Sequence, residues 1–210
     1  MMRCPIHKEG FKFAGLFLAL GVVTSCLDKW IGRLFYFLTA FTLYFFRDPE
    51  RQVPEGEGLI LSPADGKVIQ IDTVDHAPFI DGPAKRVVIF MSLFSVHINR
   101  SPISGTVSYR QYAPGKFMAA WEPKSSIENE QNSIGIESKD GYRIVVKQIA
   151  GLVARRICCW KNPGDETTIG ERFGLIRFGS RAEIFMPLDA KIEVKVGQQV
   201  NGVTTIIARR

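Results

Sequence analysis

From Arg51 to the C-terminus, the chain is built of short apolar runs separated by glycine, proline and polar turn residues. Many runs contain β-branched residues and none reaches the length of an ordinary helix, a texture typical of strands. The runs are Leu59–Leu61, Lys67–Ile71, Arg86–Met91, Gly105–Tyr109, Ile134–Glu137, Arg143–Ile149, Ala182–Pro187 and Lys191–Val196. We therefore predict a mainly β domain over residues 51–210, a compact sandwich or barrel-like fold. Asn201-Gly202 is expected to form the turn between its last two strands.

Residues 1–50 have a different texture. No charged residue occurs from Phe13 to Leu27, and a second apolar, aromatic run from Ile31 to Phe46 is interrupted only by Arg33. Each run is shorter than the roughly 20 apolar residues that cross a bilayer core. Shallow or tilted helices and a hairpin that enters one leaflet are both compatible with these lengths. We predict a helical hairpin associated with the membrane.

A signal peptide is the alternative interpretation of this segment, because Met1-Met2-Arg3 and Lys8 resemble a basic n-region. Against it, the small-x-small triplet Ala19-Leu20-Gly21 lies inside the apolar run, and a second apolar run follows at once. Basic residues before Phe13 and after Phe46 predict that both ends of the hairpin are cytoplasmic. The β domain would then lie at the cytoplasmic face of the cell membrane.

The composition limits the classes of function only loosely. A chain of 210 residues is long enough for one catalytic domain and an appendage. Its 27 lysines and arginines exceed its 21 acidic residues, a balance compatible with nucleic acid, an anionic membrane or an acidic substrate. The four cysteines lack C-x-x-C spacing, so neither a zinc cage nor a disulfide framework is predicted, and a reducing cytosolic setting fits best.

Four segments carry a more specific signal. They are Phe45–Arg51, Ser62–Lys67, Phe94–Arg100 and Gln148–Arg156, and they are followed by the pair Gly179-Ser180. A glycine before a serine alone is more typical of a β-turn. Together and in this order, the segments and the pair resemble the short bacterial form of phosphatidylserine decarboxylase, over nearly the whole chain from Phe45 onward.

The resemblance implies a particular cofactor. Removing carbon dioxide from an amino acid head group requires an electron sink that side chains do not supply, and no phosphate-cradling loop with a lysine for pyridoxal phosphate stands out. In the family, the serine hydroxyl attacks the preceding glycine carbonyl, and β-elimination then cuts the chain and leaves a pyruvoyl group. Here Ser180 would attack Gly179. The two products would stay together as a heterodimer that converts membrane phosphatidylserine into phosphatidylethanolamine, without metal or nucleic acid.

The attack by Ser180 needs a base for the hydroxyl proton. His97 is the candidate, although a lone histidine in a β-rich segment is more often structural, and the resemblance at Ser95-Val96-His97 decides in favour of catalysis. The same residue would reprotonate the product carbon. Asp65, whose Asp-Gly context alone indicates a turn, is expected from the resemblance to orient and charge-stabilise the imidazole, as a carboxylate does in a serine triad.

The sequence departs from larger relatives at two places. Arg100 stands where they often carry a second histidine in H-x-x-H, and Phe178-Gly179-Ser180-Arg181 stands where they commonly have Leu-Gly-Ser-Thr. Either His97 serves both self-cleavage and decarboxylation, or another group takes one task. Arg100, Arg155 and Arg156 are candidates for the substrate phosphate because the guanidinium fork matches phosphate oxygens. A strand-end charge and a solvated charge pair are the structural alternatives.

Two other classes of function compete with this prediction. Pro63–Val68 also resembles the opening β-hairpin of some peptidoglycan endopeptidases, but a membrane-tethered zinc peptidase needs several histidines, commonly with an H-x-H pair, which the sequence lacks. The second alternative is a noncatalytic β-domain carrier or scaffold, in which Lys67 is a modified lysine. An intact chain at Gly179-Ser180 in purified protein would favour it.

Overall fold

The computed structural model describes residues 4–118, 124–151, 156–177 and 180–210. The chain divides into two compact units, with the boundary between Glu50 and Arg51.

The N-terminal unit is a pair of helices, α1 (Lys8–Ser25) and α2 (Lys29–Phe45). Asp28 begins α2, because its carboxylate accepts hydrogen bonds from the first backbone amides of the helix. Gly32 permits close packing of the two helices, since a Cβ atom there would lie 2.0 Å from the Ser25 hydroxyl oxygen. The predicted helical hairpin is therefore confirmed. Among the described residues, neither helix combines the length and apolarity needed to cross a membrane, and membrane association stays a prediction.

The second unit is mainly β, as predicted. Its described strands are β1 (Leu59–Leu61), β2 (Gly66–Val74), β3 (Ala84–Met91), β4 (Ile98–Arg100), β5 (Gly105–Ala113), β6 (Gln131–Glu137), β7 (Arg143–Ala150), β8 (Ile157–Cys159), β9 (Glu166–Thr167), β10 (Arg172–Ile176), β11 (Ser180–Pro187), β12 (Lys191–Ile192), β13 (Gln199–Val200) and β14 (Ile206–Arg209). A short helix, α3 (Ser125–Glu128), precedes β6 and was not predicted.

The strands form three antiparallel sheets. The largest has eight strands in the order β13-β2-β3-β11-β7-β6-β5-β9 and curls as a half-barrel. Two sheets of three strands have the orders β4-β10-β8 and β1-β14-β12. Strand β11 lies inside the large sheet, between β3 and β7. Its inward side chains Ala182, Ile184 and Met186 are fully buried in the main hydrophobic core.

The end of the chain differs from the prediction. Only Lys191–Ile192 of the predicted run forms a strand, and Asn201-Gly202 does not close a hairpin, because β13 pairs with β2 whereas β14 pairs with β1 and β12. The turn is instead held from a distant segment, since the Val203 amide donates to the Ser62 carbonyl (3.0 Å). Long-range strand pairing therefore determines the structure of this region, and the hairpin predicted from the local Asn-Gly sequence was wrong.

Candidate active site

Ser180 is the first residue of β11 and is fully buried. It lies opposite Met91 at the end of β3 and opposite Ala150 at the end of β7. Its hydroxyl oxygen contacts the sulfur of Met91 at 3.3 Å. Because a thioether is a weak acceptor, this contact leaves the hydroxyl available for proton transfer. Gly179, the other half of the predicted cleavage site, lies outside the described residues.

His97 lies just before β4 and is also fully buried. Its Nδ1 atom is 2.9 Å from the carbonyl oxygen of Ser95. The carbonyl of His97 accepts a hydrogen bond from the amide of Ile176 (3.3 Å) at the end of β10, and four residues later the chain reaches Ser180. The fold thus holds the backbone of the predicted base beside the segment that leads into the predicted nucleophile.

Asp65 has a partner that the sequence analysis did not predict. Its carboxylate forms a bidentate ion pair with the guanidinium of Arg51, in which one contact is 2.7 Å. It also accepts a hydrogen bond from the amide of Gly202 at 2.8 Å. The Arg51 guanidinium also donates to the Gly202 carbonyl (2.6 Å). The described contacts therefore place Asp65 against Arg51, whereas Nδ1 of His97 faces Ser95. The role of Asp65 in orienting His97 stays a prediction.

The predicted phosphate-binding arginines have different environments. Arg100 is 4% exposed, and its guanidinium donates to the Gly170 carbonyl at 3.3 Å. Arg156 is exposed, and its carbonyl accepts the amide of Arg177 at 3.3 Å. Arg155 lies outside the described residues. Of the two described side chains, Arg156 is the one open to solvent, and binding of phosphate by any of the three stays a prediction.

Buried amide side chains near Ser180 form a group that the sequence analysis missed. Asn99 lies on β4, two residues after the predicted base His97, and its Nδ2 atom lies 3.9 Å from the Met91 sulfur. Its Oδ1 atom accepts a hydrogen bond from Gln148 on β7 at 2.8 Å. Both amides are fully buried within segments that carried the family resemblance, which was the available signal. Burial of a polar amide requires hydrogen-bond partners, and Gln148 is such a partner for Asn99.

The opposite face of β11 carries a second missed group, which we call the charged cluster: Asp72, Arg86, Ser125, Ser126, Lys147, Arg181 and Glu183. Arg181 and Glu183 are at most 2% exposed. Glu183 accepts from the Ser126 hydroxyl at 2.6 Å and lies 3.5 Å from Nε of Arg181 and 3.8 Å from Nη1 of Arg86.

Burial dominates the electrostatics of the charged cluster. It lowers the pKa of Arg181 and the pKa of Lys147, although the nearby Glu183 carboxylate opposes both shifts. At its edge, hydrogen bonds from the Arg86 guanidinium lower the pKa of Asp72. Several charged side chains are thus buried together, and each is stabilised by the opposite charges beside it.

Comparison with known proteins identifies the family of the chain. A sequence model of the family described as phosphatidylserine decarboxylase matches residues 38–208. The chain belongs to the phosphatidylserine decarboxylase family. Membership confirms the predicted resemblance and supports an enzyme over the zinc-peptidase and noncatalytic alternatives.

Relatives named phosphatidylserine decarboxylase proenzyme are similar to the chain over almost its full length. The protein of Symbiobacterium thermophilum is 44% identical over 209 residues, covering 100% of this chain and 97% of the relative. That of Syntrophus aciditrophicus is 48% identical over 200 residues, covering 93% and 92% of the two chains. That of Magnetococcus marinus is 44% identical over 207 residues, covering 97% and 94%. Each of these phosphatidylserine decarboxylase relatives is named as a precursor form.

Proposed function

We propose that this protein cuts itself between residues 179 and 180 and decarboxylates phosphatidylserine to phosphatidylethanolamine with a pyruvoyl group made from Ser180. The observation that carries the proposal is the identity of 44–48% to relatives named phosphatidylserine decarboxylase proenzyme, over 92% or more of their length. The buried position of Ser180 at the start of a central strand supports it.

The surroundings of Ser180 fit the proposed cofactor. Conversion of serine to pyruvoyl turns Cβ into a methyl group and removes the hydroxyl, so the product needs an apolar neighbour where the hydroxyl was. The Met91 sulfur is such a neighbour, 3.3 Å from Oγ. The pyruvoyl group then supplies a carbonyl that accepts the substrate amine and the electron pair released with carbon dioxide.

In the proposed self-cleavage, His97 takes the Ser180 hydroxyl proton while Oγ bonds to the carbonyl carbon of residue 179. His97 gives that proton to the Ser180 nitrogen as the bond from the nitrogen to the carbonyl carbon breaks, which leaves an ester. Loss of the Ser180 α-proton breaks the Cβ–Oγ bond and releases the carboxylate of residue 179. The enamine left at residue 180 takes a proton on Cβ, and water then displaces the nitrogen as ammonia. In turnover, His97 returns a proton to the substrate carbon.

The two products would remain one complex, because strands of residues 180–210 are paired with strands of the larger product. Strand β11 is paired along its whole length with β3, from Ser180 opposite Met91 to Pro187 opposite Ala84. Strand β14 pairs with β1. We therefore expect the products to elute together from a sizing column in native buffer and to separate only in denaturant.

The proposed location is the cytoplasmic face of the cell membrane. Support comes from the large apolar side chains exposed on the N-terminal helices, among them Trp30 (75% exposed) and Phe37 (64%). Exposed apolar surface of this extent is typical of a segment that contacts lipid. Such a location would give the enzyme access to a substrate that stays in the bilayer.

Intact-mass measurement of the purified protein tests the function. We expect two species, residues 1–179 and residues 180–210 with pyruvoyl at the new terminus, and release of labelled carbon dioxide from phosphatidylserine labelled in its head-group carboxylate. Ser180→Ala should stay intact and inactive, because alanine has no nucleophile. Borohydride should stop turnover by reducing the carbonyl. A single full-length species in an active preparation would refute the proposal.

A further inference from the structure

A line of hydrogen-bonded side chains leads from Arg110 through the core to the Ser180 site. Nε of Arg110 donates to Oδ1 of Asn132 (3.3 Å), Nδ2 of Asn132 to Oε1 of Gln148 (3.0 Å), and Nε2 of Gln148 to Oδ1 of Asn99 (2.8 Å). The three amides are at most 1% exposed. We call these four residues the amide relay.

The direction of the amide relay is fixed at Arg110, because a guanidinium only donates hydrogen bonds. The oxygen of Asn132 must therefore face Arg110, and its NH₂ group must face the oxygen of Gln148. The same reasoning repeated at Gln148 turns the oxygen of Asn99 toward Gln148. The last amide is thus obliged to present its NH₂ group at the other end.

That NH₂ group and the Ser180 hydroxyl contact the same sulfur atom. The sulfur is that of Met91, which lies 3.9 Å from Nδ2 of Asn99 and 3.3 Å from Oγ of Ser180. Sulfur is a weak acceptor, so a developing negative charge on oxygen would compete for the donor easily. The relay has therefore placed an oriented, weakly engaged donor in a buried site where hydrogen bonds to charge are strong.

We propose that Asn99 is a further catalytic residue of self-cleavage, an inference that rests on the proposed function. Its Nδ2 group donates to the oxyanion formed when Oγ of Ser180 adds to the carbonyl of residue 179. In that step the Oγ–carbon bond forms, the carbonyl π electrons move onto its oxygen, and His97 takes the hydroxyl proton. The oxyanion and Oγ are then bonded to one carbon, so a donor that contacts the same sulfur as Oγ is within reach of the oxyanion. Asn132 and Gln148 are positioning residues, which act through Asn99.

The first test is Asn99→Asp, followed by gel and mass analysis of full-length chains made by cell-free translation. Aspartate keeps the shape of the side chain and still accepts from Gln148, but it has no donor. We expect self-cleavage to slow about 10²-fold or more, as on loss of one oxyanion donor. The matched control is Asn162→Ala. Asn162 accepts from the same Arg110 guanidinium (2.7 Å) outside the relay, and the variant should cleave at the wild-type rate.

The second test acts at a distance, through Asn132→Asp. The new carboxylate still accepts from Arg110, but its other oxygen would face the oxygen of Gln148, and two acceptors repel. The Gln148 amide is therefore expected to flip and donate to the new carboxylate, and the Asn99 amide then flips to donate to Gln148. Asn99 then directs its oxygen at Ser180, and we expect cleavage to slow at least tenfold. Because the hydrogen bond from Arg110 is retained and the new carboxylate is paired with that guanidinium, the melting temperature should stay close to that of uncleaved Ser180→Ala. If Asn99→Asp misfolds, Asn132→Asp decides the inference.

Hydroxylamine separates the two chemical steps, because it cuts esters much faster than amides. If Asn99 acts in the attack, no ester accumulates in Asn99→Asp and hydroxylamine does not restore cleavage. Restored cleavage, or cleavage of both relay variants at the wild-type rate, would overturn the inference. A wild-type chain that itself stays intact would instead refute the proposed function.

Discussion

Glu183 is the residue on which the charged cluster depends most, because its carboxylate is the partner common to Arg181, Arg86 and Ser126. Glu183→Gln keeps the size of the side chain and removes the charge. Arg86 keeps its ion pair with Asp72, at 2.6 and 2.9 Å. Arg181, however, loses the ion pair with Glu183 in a place where it is only 2% exposed.

Removing one member of a buried ion pair costs about 3–5 kcal/mol, since the remaining charge stays desolvated. For a chain of this size, each kcal/mol lowers the melting temperature by about 2–4 °C, so we expect a decrease of about 6–20 °C. The assay is thermal unfolding followed by circular dichroism, with both proteins carrying Ser180→Ala so that the chain is intact.

Glu193→Gln provides the matched control for this measurement. Glu193 pairs with Arg209 at 2.6 Å, but both side chains are about 40% exposed, and an exposed pair contributes about 1 kcal/mol or less. A decrease for Glu183→Gln no larger than that for Glu193→Gln would refute the argument that burial makes this carboxylate essential.

Three further predictions concern other parts of the molecule. Asp65→Asn and Arg51→Met should slow self-cleavage by similar factors and the double variant by no more, since the two side chains act as one ion pair; additive slowing on gels would contradict this. Asp140 should titrate at a pKa of about 2 by NMR, because Ser138 and Arg210 hydrogen-bond its carboxylate, so its stabilisation is present at neutral pH and lost as the pH falls through that value. Arg210→Ala should raise this pKa. Replacing Trp30, Leu34 and Phe37 by serine should abolish flotation of the full chain with anionic vesicles, and unchanged flotation would refute contact through this exposed face of α2.

The parts of the fold that were predicted correctly are those that local patterns determine. The apolar runs of β2, β3, β6 and β7 and the paired N-terminal helices follow from hydrophobic periodicity alone. Strands β9 and β13, in contrast, have two residues each and exist because β5 and β2 lie beside them. No property of such short segments distinguishes them from loops before the partner strand is in place.

The candidate site was likewise predicted only in the part that local sequence determines. Ser180, His97 and Asp65 were found through the family resemblance, but the partners of Ser180 and Asp65 lie far away in the sequence. The serine-triad analogy predicted that Asp65 orients His97, which stays a prediction, and it did not indicate that the Arg51 guanidinium binds that carboxylate. Asn99 lay within a resembling segment, yet its proposed function depends on a hydrogen bond from Gln148, which is 49 residues away. Sequence spacing carries no information about which way a buried amide is turned.

The alternation of β11 explains why its charges were missed and why they matter. Arg181 and Glu183 alternate with apolar residues, a pattern that ordinarily indicates a solvent-facing side, but Ser125 and Ser126 of α3 lie over them. Since successive side chains of a strand point to opposite faces, the contacts that hold Arg181 also fix the direction of Ser180.

In the proposed mature protein, residue 180 begins a chain, and the first residues of a chain ordinarily fray. The second residue of this one is held by the Ser125 hydroxyl at 2.9 Å and by Glu183. The same charges that cost stability when unpaired therefore keep the reactive group in register with Met91 and Asn99 after the peptide bond that preceded it is gone.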